Sequence, residues 1–256
     1  MKIRIAHETP TQYIEYTQRI TDYDFAIASM VLKNKFYAGM FARRAAGRLL
    51  ILDNGFFEDG APQSSDELLA AADLVRADYV VAPDVLGDKK KTLELYEPFM
   101  EKFASPKYRL AAVVVGSDAK ELVECYEYYA KDPRVDMYCW AFGSDRREAL
   151  RILRHSARSA GVDTSRRHHL FGFRTLEELA ACVSYLEEVD EVTIDTSKPA
   201  SAAFAGKQLE DLGRKAYARP DWNQALDPGL LSFNIGVFRG WMQSVARAPE
   251  AFTRGA

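Results

Sequence analysis

The stretch LLILDNGFFEDG, residues 49–60, joins four aliphatic residues to an acid, an amide and a glycine. An apolar run without polar interruption is typical of a strand that is buried on both faces, as in a parallel sheet. The run stops at Asp53, Asn54 and Gly55, which are residue types that form turns. The stretch therefore predicts a buried strand whose carboxyl end presents a carboxylate.

The same pattern recurs along the whole chain. Short apolar runs alternate with charged segments of helical period such as SSDELLAAADLVR (64–76), in which Ser65 is a candidate helix cap. Eight such units in 256 residues predict an α/β fold, a single-domain (β/α)8 TIM barrel closed by a C-terminal helical segment at residues 217–256. The predicted strands are 3–7, 24–30, 49–53, 78–84, 110–115, 136–142, 168–173 and 192–196.

Composition limits the class of protein. Hydrophobic residues make up 48% of the chain, enough for a full core, and no apolar run is long enough to cross a membrane. The N-terminus lacks the pattern of a signal peptide, so we expect a soluble, cytoplasmic protein. Cys125, Cys139 and Cys182 lie far apart in the sequence and predict buried thiols, without disulfides or a zinc site. The net charge of −3 gives no general signature of nucleic-acid binding.

The ends of the predicted strands carry the residues that matter for function. The active sites of TIM barrels lie at the carboxyl ends of the strands. Three predicted strands end at an aspartate, and three others end at a glycine that lets a ligand approach the backbone closely. These residues are Asp53, Asp84, Asp195, Gly116, Gly143 and Gly172.

The absence of several motifs excludes the reactions that depend on them and leaves three functions open. The sequence has no P-loop, no GxSxG motif and no histidine-rich zinc set. Carboxylates suit glycosyl transfer, in which one attacks an anomeric carbon and a second handles the proton of the leaving group. A magnesium-dependent lyase or aldolase that uses Asp53 and Asp84 also stays open, as does a catalytically silent nucleic-acid-binding barrel.

Five segments resemble the tRNA-guanine transglycosylase family over roughly residues 49–200. ILDNGFF resembles the family's DSGGFQ-type segment, and VVAPDVLGD resembles its aspartate-bearing fourth strand. AVVVGSDAKELVECYEYY and YCWAFGSDRREALRIL are similar to its fifth and sixth strands with their helices. The most specific segment is HHLFGFRTLEELAACVSYLEEVDEVTIDTSKP (168–199), which is similar in order and spacing to YLMGVGTPEDLL…VDMFDCVMP.

Three departures from the family pattern point to one of its branches. No cysteine follows Cys182, so the family's zinc site is missing. ASAAFAG (200–206) replaces the anticodon-reading TRNARNG, and Val115 stands where the family has a base-reading glutamine. The chain is thus more similar to the zinc-less phage and bacterial enzymes that exchange guanine in DNA for preQ0 or a related 7-deazaguanine, and tRNA is the less favoured substrate.

The resemblance implies a role for each residue at the rim. Asp195 would be the nucleophile on C1′, Asp53 the general acid/base, and Asp84 the residue that binds the donor edge of the purine. Gly116 and Gly143 would present backbone groups to the base, with Asn54 and Gly172 as further substrate-binding residues. The expected partners are duplex DNA with a flipped guanine nucleotide and a free 7-deazapurine base. No cofactor or membrane is expected, a homodimer stays open, and a phage-encoded protein would act in the host cytoplasm.

Basic side chains and histidines complete the predictions. Phosphate contacts would come from Arg146, Arg147, Lys198 and Lys207, with Arg166, Arg167, Arg214 and Lys215 as further candidates. His168 and His169 are predicted to be structural residues at the far end of the barrel. His7, at the end of the first strand, could reach the site, although a hydrogen-bonded packing role is the favoured interpretation.

Overall fold

The computed structural model describes residues 1–103, 107–143, 145–156, 161–173, 175–209 and 225–248. Within them, eight parallel strands alternate with helices and form a nearly closed barrel, which confirms the predicted fold and strand order. The strands are β1 (Lys2–His7), β2 (Asp24–Ile27), β3 (Leu50–Asp53), β4 (Tyr79–Val81), β5 (Arg109–Val114), β6 (Val135–Trp140), β7 (Arg167–Leu170) and β8 (Glu191–Thr196).

Helices connect the strands, and polar side chains begin several of them. Side-chain oxygens of Asn34, Ser64, Asp88, Asp118 and Thr175 accept backbone N–H groups that the first turn leaves without partners, so Ser64 takes the capping role predicted for its neighbour. The described helices are α1 (Ile14–Gln18), α2 (Ala28–Lys33), α3 (Lys35–Ala42), α4 (Phe56–Asp59), α5 (Ser65–Val75), α6 (Lys89–Lys102), α7 (Ala119–Ala130), α8 (Arg146–His155), α9 (Leu176–Tyr185), α10 (Lys198–Phe204) and α11 (Pro228–Arg247).

The core lies on both sides of the sheet. Leu50, Ile51 and Leu52 of β3 have no exposed surface, because alternate side chains face the barrel interior and the surrounding helices. The three cysteines are buried and free, as predicted. None of the described helices combines the length and apolar character that a membrane crossing requires.

Five strands, β2, β4, β5, β6 and β7, end one to three residues earlier than predicted. Strand β2 stops at Ile27 because the next residues turn directly into α2. Strand β4 stops at Val81, so that Asp84 lies in the following loop, where its side chain can reach toward the loop after β3.

The C-terminal helix α11 covers the barrel, as predicted for part of residues 217–256. Its start is fixed by Asp227, whose side chain accepts N–H groups from Gly229 and Leu230 at 2.7 and 3.2 Å. Phe238 and Met242 of α11 are buried in the main core. Residues 217–224 and 249–256 of the predicted segment lie outside the described ranges.

Asp22 joins the two strands at the ends of the sheet order, β1 and β2. Its backbone N–H donates to Ile5 O at 2.9 Å, and its Oδ2 accepts Ile5 N–H at 3.0 Å. Its Oδ1 accepts from Arg239 of α11 at 2.6 Å, and its carbonyl accepts from Arg4 at 2.7 Å. One side chain therefore ties β1, the start of β2 and the C-terminal helix together.

We expect Asp22→Ala to lower the free energy of unfolding by about 2–3 kcal/mol, because hydrogen bonds to a charged carboxylate are lost. Asp22→Asn keeps an acceptor for Ile5 but loses the charge opposite Arg239, so its loss should be smaller. Urea unfolding followed by circular dichroism measures both. Arg151→Ala, which breaks an exposed pair with Glu148, is the control and should cost less than about 0.5 kcal/mol. An unchanged unfolding midpoint for Asp22→Ala would contradict this role.

Candidate active site

A cavity of about 710 Å³ opens at the carboxyl ends of the strands. Acidic side chains from the loops after β1, β3, β4 and β8 line it together, and it is large enough for a purine nucleotide. The predicted site residues in its lining are Asp53, Asn54, Asp84, Gly172, Asp195 and Lys198. Four further acids, Glu8, Asp24, Glu58 and Asp59, also line it.

Asp195 lies near the end of β8 with only 4% of its surface exposed. Its Oδ1 accepts from His169 Nε2 at 3.1 Å and from Gly172 N–H at 3.2 Å. Burial by itself raises the pKa of Asp195, but hydrogen bonds from His169, Glu8 and the Gly172 backbone outweigh it, with Coulombic attraction to His169. The net result is a lowered pKa, and Asp195 is a buried carboxylate that keeps its charge.

Glu8 follows β1 and forms a hydrogen bond with Asp195. Burial, the charge of Asp195 and this hydrogen bond raise the pKa of Glu8 well above its ordinary range, with smaller contributions from Glu58 and Asp53. The pair therefore holds one proton and one negative charge, with Glu8 as the neutral donor and Asp195 as the ionised acceptor.

Asp53 and Asn54 build a tight turn after β3. Asp53 Oδ2 accepts Gly55 N–H at 3.0 Å, and Asn54 Oδ1 accepts Phe56 N–H at 2.9 Å. Gly55 has φ of +79°, a left-handed conformation that glycine adopts without strain. Burial and the charge of Glu58 raise the pKa of Asp53 well above its ordinary range, against the Gly55 hydrogen bond. Asp53 is thus both a turn-forming residue and an acid whose pKa is raised.

Asn54 connects this turn to Asp84. Its Nδ2 donates to Asp84 Oδ1 and to Ala82 O, each at 2.7 Å. Burial raises the pKa of Asp84 to about 6, although the Asn54 hydrogen bond opposes the shift. Asp84 is therefore mostly ionised at neutral pH and can accept hydrogen bonds from a ligand.

The predicted glycines divide between two cavities. Gly172, with φ of +42°, lies in the main cavity and donates to Asp195. Gly116 and Gly143 line a smaller cavity of about 170 Å³ that shares Leu86, Ala141 and Phe142 with the main one. A Cβ on Gly116 would lie 2.7 Å from Leu122 N, so close packing of helix α7 accounts for this glycine without a ligand.

The two arginines of α8 that are predicted to contact phosphate differ in their exposure. Arg146 has no exposed surface, and its guanidinium donates to Glu178 Oε1 at 2.6 Å, Phe171 O at 2.6 Å and Gly172 O at 2.7 Å. The predicted phosphate contact by Arg146 is therefore wrong, because the side chain has no exposed surface and each of its three guanidinium nitrogens already donates inside the protein. Arg147, next to it on α8, is exposed.

The remaining basic candidates fall into three groups. Lys198 lines the cavity with Nζ 5.0 Å from the centre of the Phe173 ring, and Lys207 is exposed. Arg166 and Arg167 lie at the start of β7, opposite the cavity, where they pair with acids, so they do not fit the predicted phosphate contact. Arg214 and Lys215 lie outside the described residues.

The histidine side chains of β1 and β7 lie in different surroundings. His168 faces the helices, where it accepts from Trp140 Nε1 at 3.0 Å, in agreement with a structural role. His7 packs edge-on against Phe238, and burial lowers its pKa to about 3. His169 faces the interior and bonds Asp195, so its predicted position at the far end of the barrel is wrong.

Sequence reasoning missed Glu8 and the contact of His169 with Asp195. Only Glu8 had a signal that the sequence alone supplies. Glu8 directly follows a predicted strand, and the other acids at the rim lie at or near the ends of predicted strands. His169 pairs in register with Thr193, and Asp195 lies two residues further along β8 on the same face. The contact of His169 depends on the register of β7 against β8, which the sequence did not supply.

The chain matches no protein-family model and no curated protein. In the part of the chain that the structure describes, no group of three or more His, Cys, Asp or Glu side chains is arranged to hold a metal ion.

Arg146→Met should lower the free energy of unfolding by about 3–5 kcal/mol, because Glu178 loses its ion-pair partner and two buried carbonyls lose their donor. The matched control is Arg147→Met on the same helix, which should change stability by less than about 0.5 kcal/mol. Chemical denaturation of the two variants measures the difference, and equal losses would show that the buried network is not stabilising.

Asp84 should make stability depend on pH. Its folded-state pKa of about 6 lies above the ordinary value, so its stabilising contribution is present at low pH and is lost as the pH rises through about 6. Asp84→Asn cannot ionise. We expect the variant to match the wild type near pH 4 and to exceed its unfolding free energy by about 3 kcal/mol near pH 8. Urea titrations at both pH values measure this, and a difference independent of pH would contradict the burial of an ionisable Asp84.

Proposed function

We propose that the protein is a guanine transglycosylase that exchanges guanine in DNA for a 7-deazaguanine base, preQ0 or a relative, through a covalent glycosyl-aspartate intermediate. The observation that carries this proposal is the placement in one cavity of Asp195, a hydrogen-bonded carboxyl group whose pKa is lowered, and Asp53, whose pKa burial raises well above its ordinary range. A nucleophile and an acid in one enclosed site are what a retaining double displacement needs.

The chemistry uses one proton and one carboxylate in two symmetrical steps. Asp195 attacks C1′, the C1′–N bond to guanine breaks, and the proton of Asp53 goes to the departing base. The 7-deazapurine then gives a proton to Asp53 and attacks C1′, and the C1′–O bond electrons return to Asp195. Water must be excluded while the ester exists, because hydrolysis would leave an abasic site.

The charges in the cavity favour a neutral ligand that is rich in hydrogen-bond donors. Asp84, held by Asn54 at 2.7 Å, can accept N–H groups from the edge of a purine. Together with Asp195 it gives the cavity a negative potential, which favours a purine over an oxoacid anion. The resemblance of residues 49–200 to guanine transglycosylases supports the same ligand class.

DNA would reach the site through a flipped nucleotide, at an unstacking cost of a few kcal/mol. Lys198 at the cavity, with the exposed side chains of Arg147 and Lys207, offers positive charge for backbone phosphates. The absent zinc cysteines and the ASAAFAG segment support DNA over tRNA as the polymer.

The first test is incorporation of labelled preQ0, or of labelled guanine, into guanine-containing duplex DNA. We expect label to be retained in the DNA, and Asp195→Asn to reduce incorporation at least about a thousand-fold because the amide cannot attack C1′. Asp190→Asn replaces an exposed aspartate just before the same strand and should keep full activity.

Parallel reactions separate the other functions. Label in tRNA alone would assign the tRNA substrate. Label in neither polymer, with folded protein, would contradict the proposal and favour a magnesium-dependent lyase or aldolase, which an oxoacid assay with and without Mg²⁺ would then detect. Incorporation that survives Asp195→Asn would contradict the covalent intermediate.

A further inference from the structure

The pairing of Glu8 with Asp195 assigns a role to a residue outside the predicted site. We propose that Glu8 is a further catalytic residue of the proposed transglycosylase, one that donates a hydrogen bond to Asp195 throughout the cycle and makes it a better leaving group when the glycosyl ester breaks. This inference rests on the proposed function for its chemistry, but the pairing itself can be measured without it.

The backbone holds Glu8 beside Asp195. Strands β1 and β8 pair in parallel, with Ala6 opposite Asp195 and His7 opposite Thr196. Just beyond the last strand pair, Glu8 N–H donates to Thr196 O at 3.2 Å. The side chain of Glu8 then bonds the carboxylate of Asp195 inside the cavity. The sheet register therefore fixes the main chain of Glu8 beside Asp195, so that both side chains line the same cavity.

The surroundings keep the proton on Glu8. Acids on three other elements raise the pKa of Glu8, and His169 and the Gly172 N–H keep the charge on Asp195. Ionisation of both carboxyl groups would place two like charges in contact in a desolvated site. The titratable groups that interact electrostatically with the pair are Asp53, Glu58, Tyr37, His7, Tyr23, Cys139 and His169.

The proton of Glu8 is not consumed in the reaction. While Asp195 attacks C1′, Glu8 donates to the Asp195 oxygen that does not attack. In the ester, the same O–H donates to the carbonyl oxygen. When the incoming base attacks C1′ and the C1′–O bond breaks, negative charge returns to Asp195 and the Glu8 hydrogen bond strengthens. Asp53 remains the group that exchanges a proton with the two bases, so atoms and charges balance.

A matched pair of variants separates donation from the carboxyl group itself. Glu8→Gln keeps an N–H donor, whereas Glu8→Met has similar size and no donor. Carboxyl ¹³C NMR of Asp195 in the free protein reports the pairing: we expect the Asp195 titration to move to higher pH in Glu8→Met and to stay near the wild type in Glu8→Gln. Unchanged titration in Glu8→Met would overturn the pairing.

The catalytic role is tested by the two half-reactions. Rapid-quench assays measure guanine release and the transfer of the glycosyl group from the covalent adduct to labelled preQ0. In Glu8→Met we expect the second half-reaction to slow about ten- to a hundred-fold and the adduct to accumulate, with little loss of guanine release. The acid limb of its pH–rate profile should move to higher pH, and Glu8→Gln should resemble the wild type.

The outcomes distinguish the inference from the function. If the wild-type protein forms the covalent adduct and Glu8→Met shows the same relative rates of the two half-reactions, the role of Glu8 is overturned. The transglycosylase function would then stand. A loss in Glu8→Gln as large as in Glu8→Met would also overturn the role of Glu8, because the Glu8 proton would then be transferred. If wild-type protein forms no adduct, the proposed function fails and this catalytic role fails with it, whatever the NMR titration shows about the pair.

Discussion

Burial of several carboxyl groups in one cavity is the physical constraint on which the site depends. Glu8, Asp53, Asp84 and Asp195 line the same space, and they cannot all carry charge there. Burial raises the pKa of the first three, while directed hydrogen bonds lower that of Asp195. The result is a difference among chemically similar groups, with one carboxyl group whose pKa is lowered and three whose pKa values are raised.

The charge on Asp195 depends on a chain of contacts that extends well outside the cavity. Arg146 belongs to that chain, since its guanidinium donates to the carbonyls of Phe171 and Gly172. The Phe171 carbonyl and the Gly172 N–H belong to one peptide group, and that N–H donates to Asp195. A buried ion pair between α8 and α9 thereby orients a donor at the end of β7. The Phe171–Gly172 peptide group therefore links the buried ion pair of Arg146 to the hydrogen bonding of Asp195.

Several site residues had signals in the sequence that were read correctly, and others had signals with two meanings. Asp53, Asp84 and Asp195 follow apolar runs, and the parallel sheet brings them to one rim, as expected. Gly116 also follows such a run, but packing of α7 against the strand explains it. A basic residue such as Arg146 reads as a surface residue until its partner Glu178, on another helix, is known. Burial of charged groups is decided by such pairs of elements and by no local pattern.

The sequence by itself determined the eight βα units, their order and the strands that end in acids, because hydrophobic period and turn residues are local properties. Only the tertiary structure decided which acid keeps its charge, which histidine supports it and that Glu8 joins them. Those outcomes depend on the register of β1 and β7 against β8 and on distances between side chains from distant parts of the chain. Electrostatic energies in a desolvated cavity change steeply with such distances, and a sequence pattern does not contain them.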